Sequence, residues 1–272
     1  MSLADKKTIK AILSREKLWS KKSLGQNFLV DQKVLSEIIR AADLCSKDEV
    51  LEIGPGLGTL TQKLCQRTKK VIAVEKDKKL AKILEKNIND CKNLKIINAD
   101  ILRIKTYKLI PKIYKLVANI PYNITSPVLK EFLTGINKPK LMVLMVQREV
   151  ATRICSLPGQ MSILSVMVQF YSDPKIIETI EPFSFFPVPK VQSAILKIDN
   201  IQPKIEIDEK NFFRCVKIGF ASRRKTLLNN LSSGYHLDKK EIKDILEKVG
   251  LIETARAQEL SIADWQKLIS YL

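Results

Sequence analysis

The chain of 272 residues has a single histidine, His236, and its five cysteines (Cys45, Cys65, Cys91, Cys155, Cys215) form no Cys-x-x-Cys pair. The first scarcity excludes a Ser-His-Asp triad that does not use His236. Together the two exclude the His/Cys zinc centre of nucleobase deaminases. The thiols read as reduced core residues rather than a disulfide frame, and the chemistry is expected to proceed without a metal. Long apolar runs are missing too. The longest extends from Leu141 to Val146, far short of the ~20 residues that span a membrane. The N-terminus lacks an apolar signal-peptide core, so a soluble cytoplasmic protein with no membrane partner is expected. Acidic residues are also short: 29 Asp and Glu face 47 Lys and Arg, a net charge of +18. Such an excess costs self-repulsion in the compact state and points to a polyanionic partner, nucleic acid first. The excess is uneven. Lys6, Lys7, Lys10, Arg15, Lys17, Lys21 and Lys22 against only Asp5 and Glu16 make residues 1–23 a basic N-terminal arm.

What is present is an alternation. Short β-rich runs at 49–53, 71–75, 95–98, 115–119, 141–147, 175–180 and 193–198 read as strands. Between them, Leu80, Ile83, Leu84 and Ile88, and later Val128, Leu129, Phe132 and Leu133, fall at helical spacing. Strands separated by helices imply parallel pairing in a doubly wound α/β sheet. Near Asp199–Pro203 the pattern changes, and 212–220, 223–231, 239–249 and 262–272 read as helices. The expected division is therefore an α/β domain over 1–200 and a small all-helical domain over 201–272.

Glu52-Ile53-Gly54-Pro55-Gly56-Leu57-Gly58-Thr59-Leu60 follows the first of these strands and opens a helix. Its glycines let the backbone turn sharply and approach a ligand at the positive end of that helix. Glu75, 21 residues after Gly54, ends the next strand, where a carboxylate can accept two ribose hydroxyls. Asp100 follows the third strand and can meet an adenine amino group. A glycine loop and a ribose acid suit either a nicotinamide dinucleotide or S-adenosylmethionine. The third glycine of a dinucleotide fingerprint falls where this chain has Thr59, which favours the methyl donor.

Asn119-Ile120-Pro121-Tyr122 supplies what a weakly nucleophilic purine amine needs: an amide oxygen, a backbone carbonyl fixed by the following proline, and an aromatic face. The tetrad looks like the (Asn/Asp)-x-Pro-(Tyr/Phe) signature of enzymes that methylate nucleobase amino groups. With it, the chain resembles the ribosomal RNA adenine N6,N6-dimethyltransferase family along nearly its whole length. Leu24-Gly25-Gln26-Asn27-Phe28-Leu29 is similar to the family's opening motif, implying cofactor contacts at Gln26, Asn27 and Leu29. Glu75-Lys76-Asp77 and Ala99-Asp100-Ile101 fall in the family's order, adding Lys76 and Ile101 to the implied cofactor site. Phe185-Phe186-Pro187-Val188-Pro189-Lys190-Val191-Gln192-Ser193 resembles a later motif whose leading phenylalanine, here Phe185, would clamp the target base opposite Tyr122.

The resemblance implies a Rossmann-like class I methyltransferase fold, S-adenosylmethionine as donor, and a monomer. Two branches share these motifs. One is a housekeeping enzyme that dimethylates two adjacent adenines in a hairpin loop near the 3′ end of small-subunit (16S) rRNA in a pre-30S particle. The other is the erythromycin-resistance enzyme of 23S rRNA. Ile120 leans to the second. Gln147-Arg148-Glu149-Val150 and Phe220-Ala221-Ser222-Arg223-Arg224-Lys225-Thr226 lean to the first, and imply RNA contacts at Arg148, Arg223, Arg224 and Lys225. A non-catalytic RNA-binding assembly or transcription factor on the same scaffold is the competing class.

Overall fold

The computed structural model describes residues 3, 5–16, 26–104, 113–203 and 206–272. Lys17, Lys21 and Lys22 of the basic arm, and Leu24-Gly25 of the opening motif, lie outside the described residues. In chain order the elements are α1 (Lys6–Arg15), β1 (Phe28–Leu29), α2 (Gln32–Ala41), β2 (Glu49–Ile53), α3 (Thr59–Cys65), β3 (Lys70–Glu75), α4 (Lys78–Asn87), β4 (Leu94–Asn98), β5 (Lys115–Asn119), α5 (Thr125–Thr134), β6 (Leu141–Gln147) and α6 (Arg148–Ile154). There follow α7 (Ile163–Tyr171), β7 (Asp173–Ile180), β8 (Phe185–Phe186), β9 (Ser193–Asp199), α8 (Glu209–Gly219), α9 (Leu227–Tyr235), α10 (Lys239–Lys248) and α11 (Ile262–Ile269).

The chain divides into two compact units, Met1–Ala151 with Pro174–Ile201, and Thr152–Asp173 with Gln202–Leu272. This differs from a single break near residue 200, because residues 152–173 group with the C-terminal helices. Aromatic packing gives the reason. Phe170 of α7 lies 4.6 Å from Phe212 and 5.2 Å from Phe213, ring centre to ring centre. Periodicity along one segment cannot reveal which distant helix completes its core.

The first unit is built on a seven-stranded sheet in the order β4-β3-β2-β5-β6-β9-β7. Strands β2, β3, β5 and β6 are buried almost throughout. Such continuous apolar runs are what parallel strands covered on both faces require. The edge strand β4 is only partly buried. The pairs β3/β4, β2/β3, β2/β5 and β5/β6 are parallel, but β9 runs antiparallel to β6, so the sheet is mixed rather than wholly parallel. A second, two-stranded pairing of β1 with β8 was not legible at two residues per strand. It sets Phe28 opposite Phe186 and Leu29 opposite Phe185.

The expected basic arm is more than a charged extension. Asp5 caps α1, whose Ile9, Ile12 and Leu13 are buried in a cluster with Phe28, Leu80, Ile83 and Leu84. The lysines therefore occupy the outer face of an amphipathic helix. In the second unit, α8, α9, α10 and α11 close around the fully buried Trp265, Phe212 and Leu231. The helix expected from Arg223 begins later. Arg223, Arg224 and Lys225 form an exposed turn, and Thr226 caps α9 by accepting the Asn229 N–H.

Gly219 at the end of α8 packs directly on Trp265, and a Cβ there would fall 2.4 Å from the indole Cη2. Overpacking costs about 1–3 kcal/mol, against at most about 1 kcal/mol gained in helix propensity, so strain wins. Gly219→Ala should lower the melting temperature by several degrees, at about 2–4 °C per kcal/mol for a chain near this size. Trp265→Phe in the same chain should recover part of the loss. A variant melting at or above wild type would show that the indole gives way freely.

Candidate active site

In a doubly wound sheet the ligand crevice opens beyond the carboxyl ends of the strands, where the winding reverses. Here β2, β3 and β4 build outward on one side and β5 and β6 on the other, so the reversal lies between β2 and β5. The β2/β5 ladder pairs only Val50 with Lys115 and Leu51 with Leu116, while β2/β3 pairing continues to Ile53 and Val74. The cleft that opens there measures about 1190 Å³ with its mouth and is lined from the glycine loop, the ends of β3 and β5, and the turn after β4.

The glycine loop is shaped by two positions. Gly56 has φ +59°, and a Cβ there would sit 3.2 Å from the Phe28 ring; Gly58 has φ +97° and would drive a Cβ to 2.3 Å from Ile88 Cδ1. Both need the left-handed region and close approach, which only glycine allows cheaply. The Gly56 N–H donates to Glu75 Oε2 at 3.2 Å, and the Asp77 N–H donates to Oε1 at 2.8 Å. Glu75 is 6% exposed. Burial pushes its carboxyl above the ordinary range, opposed by these backbone donors. At the far end of the cleft Asp100 pairs with the Lys76 ammonium at 2.9 Å, and this partner holds its carboxyl below the ordinary range.

Glu52 is the surprise. It is 1% exposed, and its Oε2 has no hydrogen-bond partner among the described residues. Burial, with the nearby Glu75 adding, pushes its carboxyl up to about 8. An orphaned acid lining the cleft is an unsatisfied acceptor for a cationic group. With Glu75 for ribose hydroxyls and Asp100 for a purine amine, the donor set fits S-adenosylmethionine, a cation with all three parts.

On the β5 side, a Cβ on Gly54 would lie 3.5 Å from Pro121 Cδ, so the glycine loop and the Asn-Ile-Pro-Tyr turn abut. The Asn119 Nδ2 donates to the Asn27 carbonyl at 3.0 Å. This bond uses one of the two amide hydrogens and anchors the side chain at the edge of the cleft, which Asn119 lines. Tyr122 opens a short 3-10 turn, Tyr122–Ile124, and burial holds its phenol above the ordinary range.

The structure brings most of the expected residues together. Gln26, Asn27 and Leu29 line the cleft, as do Gly54 and Gly56. Glu75, Lys76, Asp100 and Ile101 line it from β3 and the turn after β4, and Asn119, Ile120 and Tyr122 from β5. Phe185 does not join them. It is 0% exposed, paired with Leu29 and packed in the core with Ile180 and Ile195, so it has no face to offer a base. Of its neighbours Phe183 is 70% exposed. Arg148 lies on the surface at the start of α6, its guanidinium donating to Gln192 Oε1 at 2.7 Å. Arg223, Arg224 and Lys225 lie in the other unit. Sequence reading gave no role to Ser193, whose Oγ lies 2.6 Å from the Tyr122 hydroxyl. Its place at the end of the proline motif was the available signal.

Comparison with known proteins gives a consistent answer. A family profile described as ribosomal RNA adenine dimethylase matches residues 18–272. The ribosomal RNA small subunit methyltransferase A of Dehalococcoides mccartyi is 42% identical over 92% of this chain and 88% of its own. That of Alkaliphilus metalliredigens is 39% identical over 95% and 94%. Among solved structures, the 23S rRNA methyltransferase ErmE superposes with a TM-score of 0.75 at 28% identity, covering 90% of this chain and 99% of its own. A dimethyladenosine transferase from Plasmodium falciparum gives 0.74 at 28%, covering 89% and 95%.

The orphaned Glu52 carries a pH signature. A carboxyl whose pKa is raised in the folded state adds stability fully below its ordinary 4.5, and that stability is lost as pH rises toward about 8. Glu52→Gln cannot ionise. Its melting temperature should match wild type near pH 5 and exceed it increasingly up to pH 8.5, the gap widening by about 1.4 kcal/mol per pH unit within the window. Parallel melting curves across that range would show that Glu52 is solvated or paired.

Proposed function

The chain belongs to the ribosomal RNA adenine dimethylase family, and from that premise we propose that it transfers methyl groups from S-adenosylmethionine to the N6 amines of two adjacent adenines in a hairpin loop near the 3′ end of small-subunit rRNA. The observation that carries this reading is the Asn119 side chain, which lines the cleft beside Ile120 and Tyr122 and is anchored through Nδ2 on the Asn27 carbonyl. Relatives named for the small subunit, at about 40% identity over nearly full length, support this branch. Ile120 and the likeness to ErmE favour the alternative, a 23S rRNA substrate.

Glu75, Asp100, Glu52 and the glycine loop would hold the donor. Bound there, S-adenosylmethionine supplies a methyl group already activated on a sulfonium. The protein's own work is then orientation. The adenine must leave its stack at a cost of a few kcal/mol, and stacking on Tyr122 returns ~1–3 kcal/mol. Asn119 Oδ1 and the Ile120 carbonyl accept the two N6 hydrogens. That turns the nitrogen lone pair out of ring conjugation toward the methyl group. Once the methyl–nitrogen bond has replaced the methyl–sulfur bond, leaving a neutral thioether, the N6 proton is lost to solvent. With Phe185 in the core, the second face of the base is left to other groups.

Outside the cleft, Arg148 and the exposed turn Arg223-Arg224-Lys225 supply cations for phosphates. A net charge of +18 fits a large RNA particle as substrate, here a pre-30S particle in the cytoplasm, met by a monomeric enzyme. No helix among the described residues is long and apolar enough to cross a membrane.

Purified enzyme, S-adenosylmethionine and unmodified ribosomal particles of each subunit, analysed by nucleoside mass spectrometry of their RNA, test the reading. Dimethyladenosine should form in small-subunit RNA. Its formation only in 23S rRNA would transfer the chain to the other branch. In the same assay Asn119→Ala should lose ~10²–10³-fold in single-turnover rate, by analogy with removing one preorganised polar group. Asn119→Asp, which keeps an acceptor, should retain measurable activity. Wild-type rate in the alanine variant would remove Asn119 from the chemistry.

RNA affinity should fall steeply with salt through counterion release. Replacing Arg223, Arg224 and Lys225 together should reduce the slope of log K against log salt by about 2–3, with S-adenosylmethionine affinity unchanged. An unaltered slope would make the turn ordinary surface.

A further inference from the structure

Tyr122, the aromatic residue of the transfer site, is held at both ends. Its backbone is fixed in the turn, where Thr125 Oγ1 donates to the Tyr122 carbonyl at 3.2 Å. At the far end its hydroxyl meets Ser193 Oγ at 2.6 Å. Ser193 is 0% exposed and is the first residue of β9. The antiparallel direction of that strand decides where its hydroxyl lands. Ser193 pairs with Gln147 at the end of β6, and Asn119 pairs with Met145 two residues earlier on the same strand. A seventh parallel strand would have delivered its last residue to this edge; β9 delivers its first, straight from the proline motif. Serine and tyrosine thus meet across 71 residues of sequence, beside the amide that faces the cleft.

We propose that Ser193 is a positioning residue for adenine methylation, holding the Tyr122 ring where a base stacked on it presents its amine to Asn119 and Ile120. The inference rests on the functional reading above and adds a residue to it. A tyrosine anchored only through Cβ swings about χ1. A bond at the para oxygen fixes the direction of the ring axis, and the in-plane preference of phenol hydrogen bonds resists ring rotation. The serine end cannot follow a moving ring, because its backbone is set in the β6/β9 ladder. Burial keeps the phenol neutral, so the pair remains a hydroxyl–hydroxyl bond over the working pH range. With the two hydroxyls bonded to each other, removing either takes the partner from the other in a part-buried setting, whereas removing both leaves none unpaired.

The test is a double-mutant cycle read in two ways. In single-turnover methyl transfer to pre-30S particles, Ser193→Ala and Tyr122→Phe should each slow the rate on the order of 10-fold, within the ~10² that a 1 Å misplacement can cost. S-adenosylmethionine affinity should be unchanged in both. The double variant should be no slower than the worse single, and Ser193→Thr should restore most of the rate. In thermal unfolding, which needs no substrate, the two singles should each melt lower and the double should not add their losses. Wild-type rate in Ser193→Ala, multiplied losses in the double variant, or additive melting losses would overturn the proposal. Wild type is measured alongside. Failure of wild type to methylate pre-30S particles would sink the functional reading itself, whereas an active wild type with an equally active Ser193→Ala would sink only the role of Ser193.

Discussion

One carboxylate organises the cleft. Glu75 accepts from the glycine loop through Gly56 and from the start of α4 through Asp77. Its carbonyl accepts from the Ala99 N–H and the Asn98 side chain, which fixes the turn that carries Asp100. The glycine loop, the end of β3 and the turn after β4 are thereby tied to one residue at 6% exposure. Backbone donors stabilise the charged form, yet burial still outweighs them and leaves the carboxyl above its ordinary range. A group so placed gains from a ligand that adds hydroxyl donors. The same low-dielectric setting raises the Glu52 carboxyl, whose Oε2 has no partner among the described residues, against the opposing effect of Thr61. Two buried acids on adjacent strands face the cleft, both with carboxyls raised above the ordinary range by burial.

From that end of the sheet the rest follows by topology. The winding reverses between β2 and β5, the ladder there is short, and the Asn-Ile-Pro-Tyr turn lies directly against the glycine loop. The glycine loop and the Asn-Ile-Pro-Tyr turn, proposed for the donor and for the amine, consequently line one cleft side by side. The antiparallel β9 completes the arrangement by bringing the end of the proline motif to the same edge. The exposed cations proposed for RNA lie elsewhere, at Arg148 in α6 and in the turn before α9. Affinity and chemistry can therefore vary independently.

The strands were legible because buried parallel strands need unbroken apolar runs. Val71–Val74 and Leu141–Val146 can hardly be read otherwise. The cofactor side was legible for a similar reason: glycines crowded into a turn and acids at strand ends both serve the close approach of a polar ligand. Strand direction was not, since a period of two is the same both ways, and β9 came out antiparallel. Phe185 failed for want of a face. The spacing to Pro187 singles out Phe185 in the motif, and only the two-residue pairing with Leu29 shows that it turns into the core. The helix expected from Arg223 yielded to Thr226, whose side chain caps at 226 and leaves the basic triplet in a turn. Residues 152–173 joined the helical unit through ring packing between Phe170 and Phe212, a long-range contact no local pattern records.

The central claim is that Glu75 is the hinge between scaffold and cofactor, and titration calorimetry with S-adenosylmethionine tests it most directly. Wild type should bind without added metal. Glu75→Ala should bind at least about 10-fold more weakly, because hydrogen bonds to a charged acceptor are worth about 1.5–3 kcal/mol, while a matched circular-dichroism spectrum shows the fold intact. Equal affinity in a folded Glu75→Ala variant, or tight binding of a nicotinamide dinucleotide by wild type, would contradict that role.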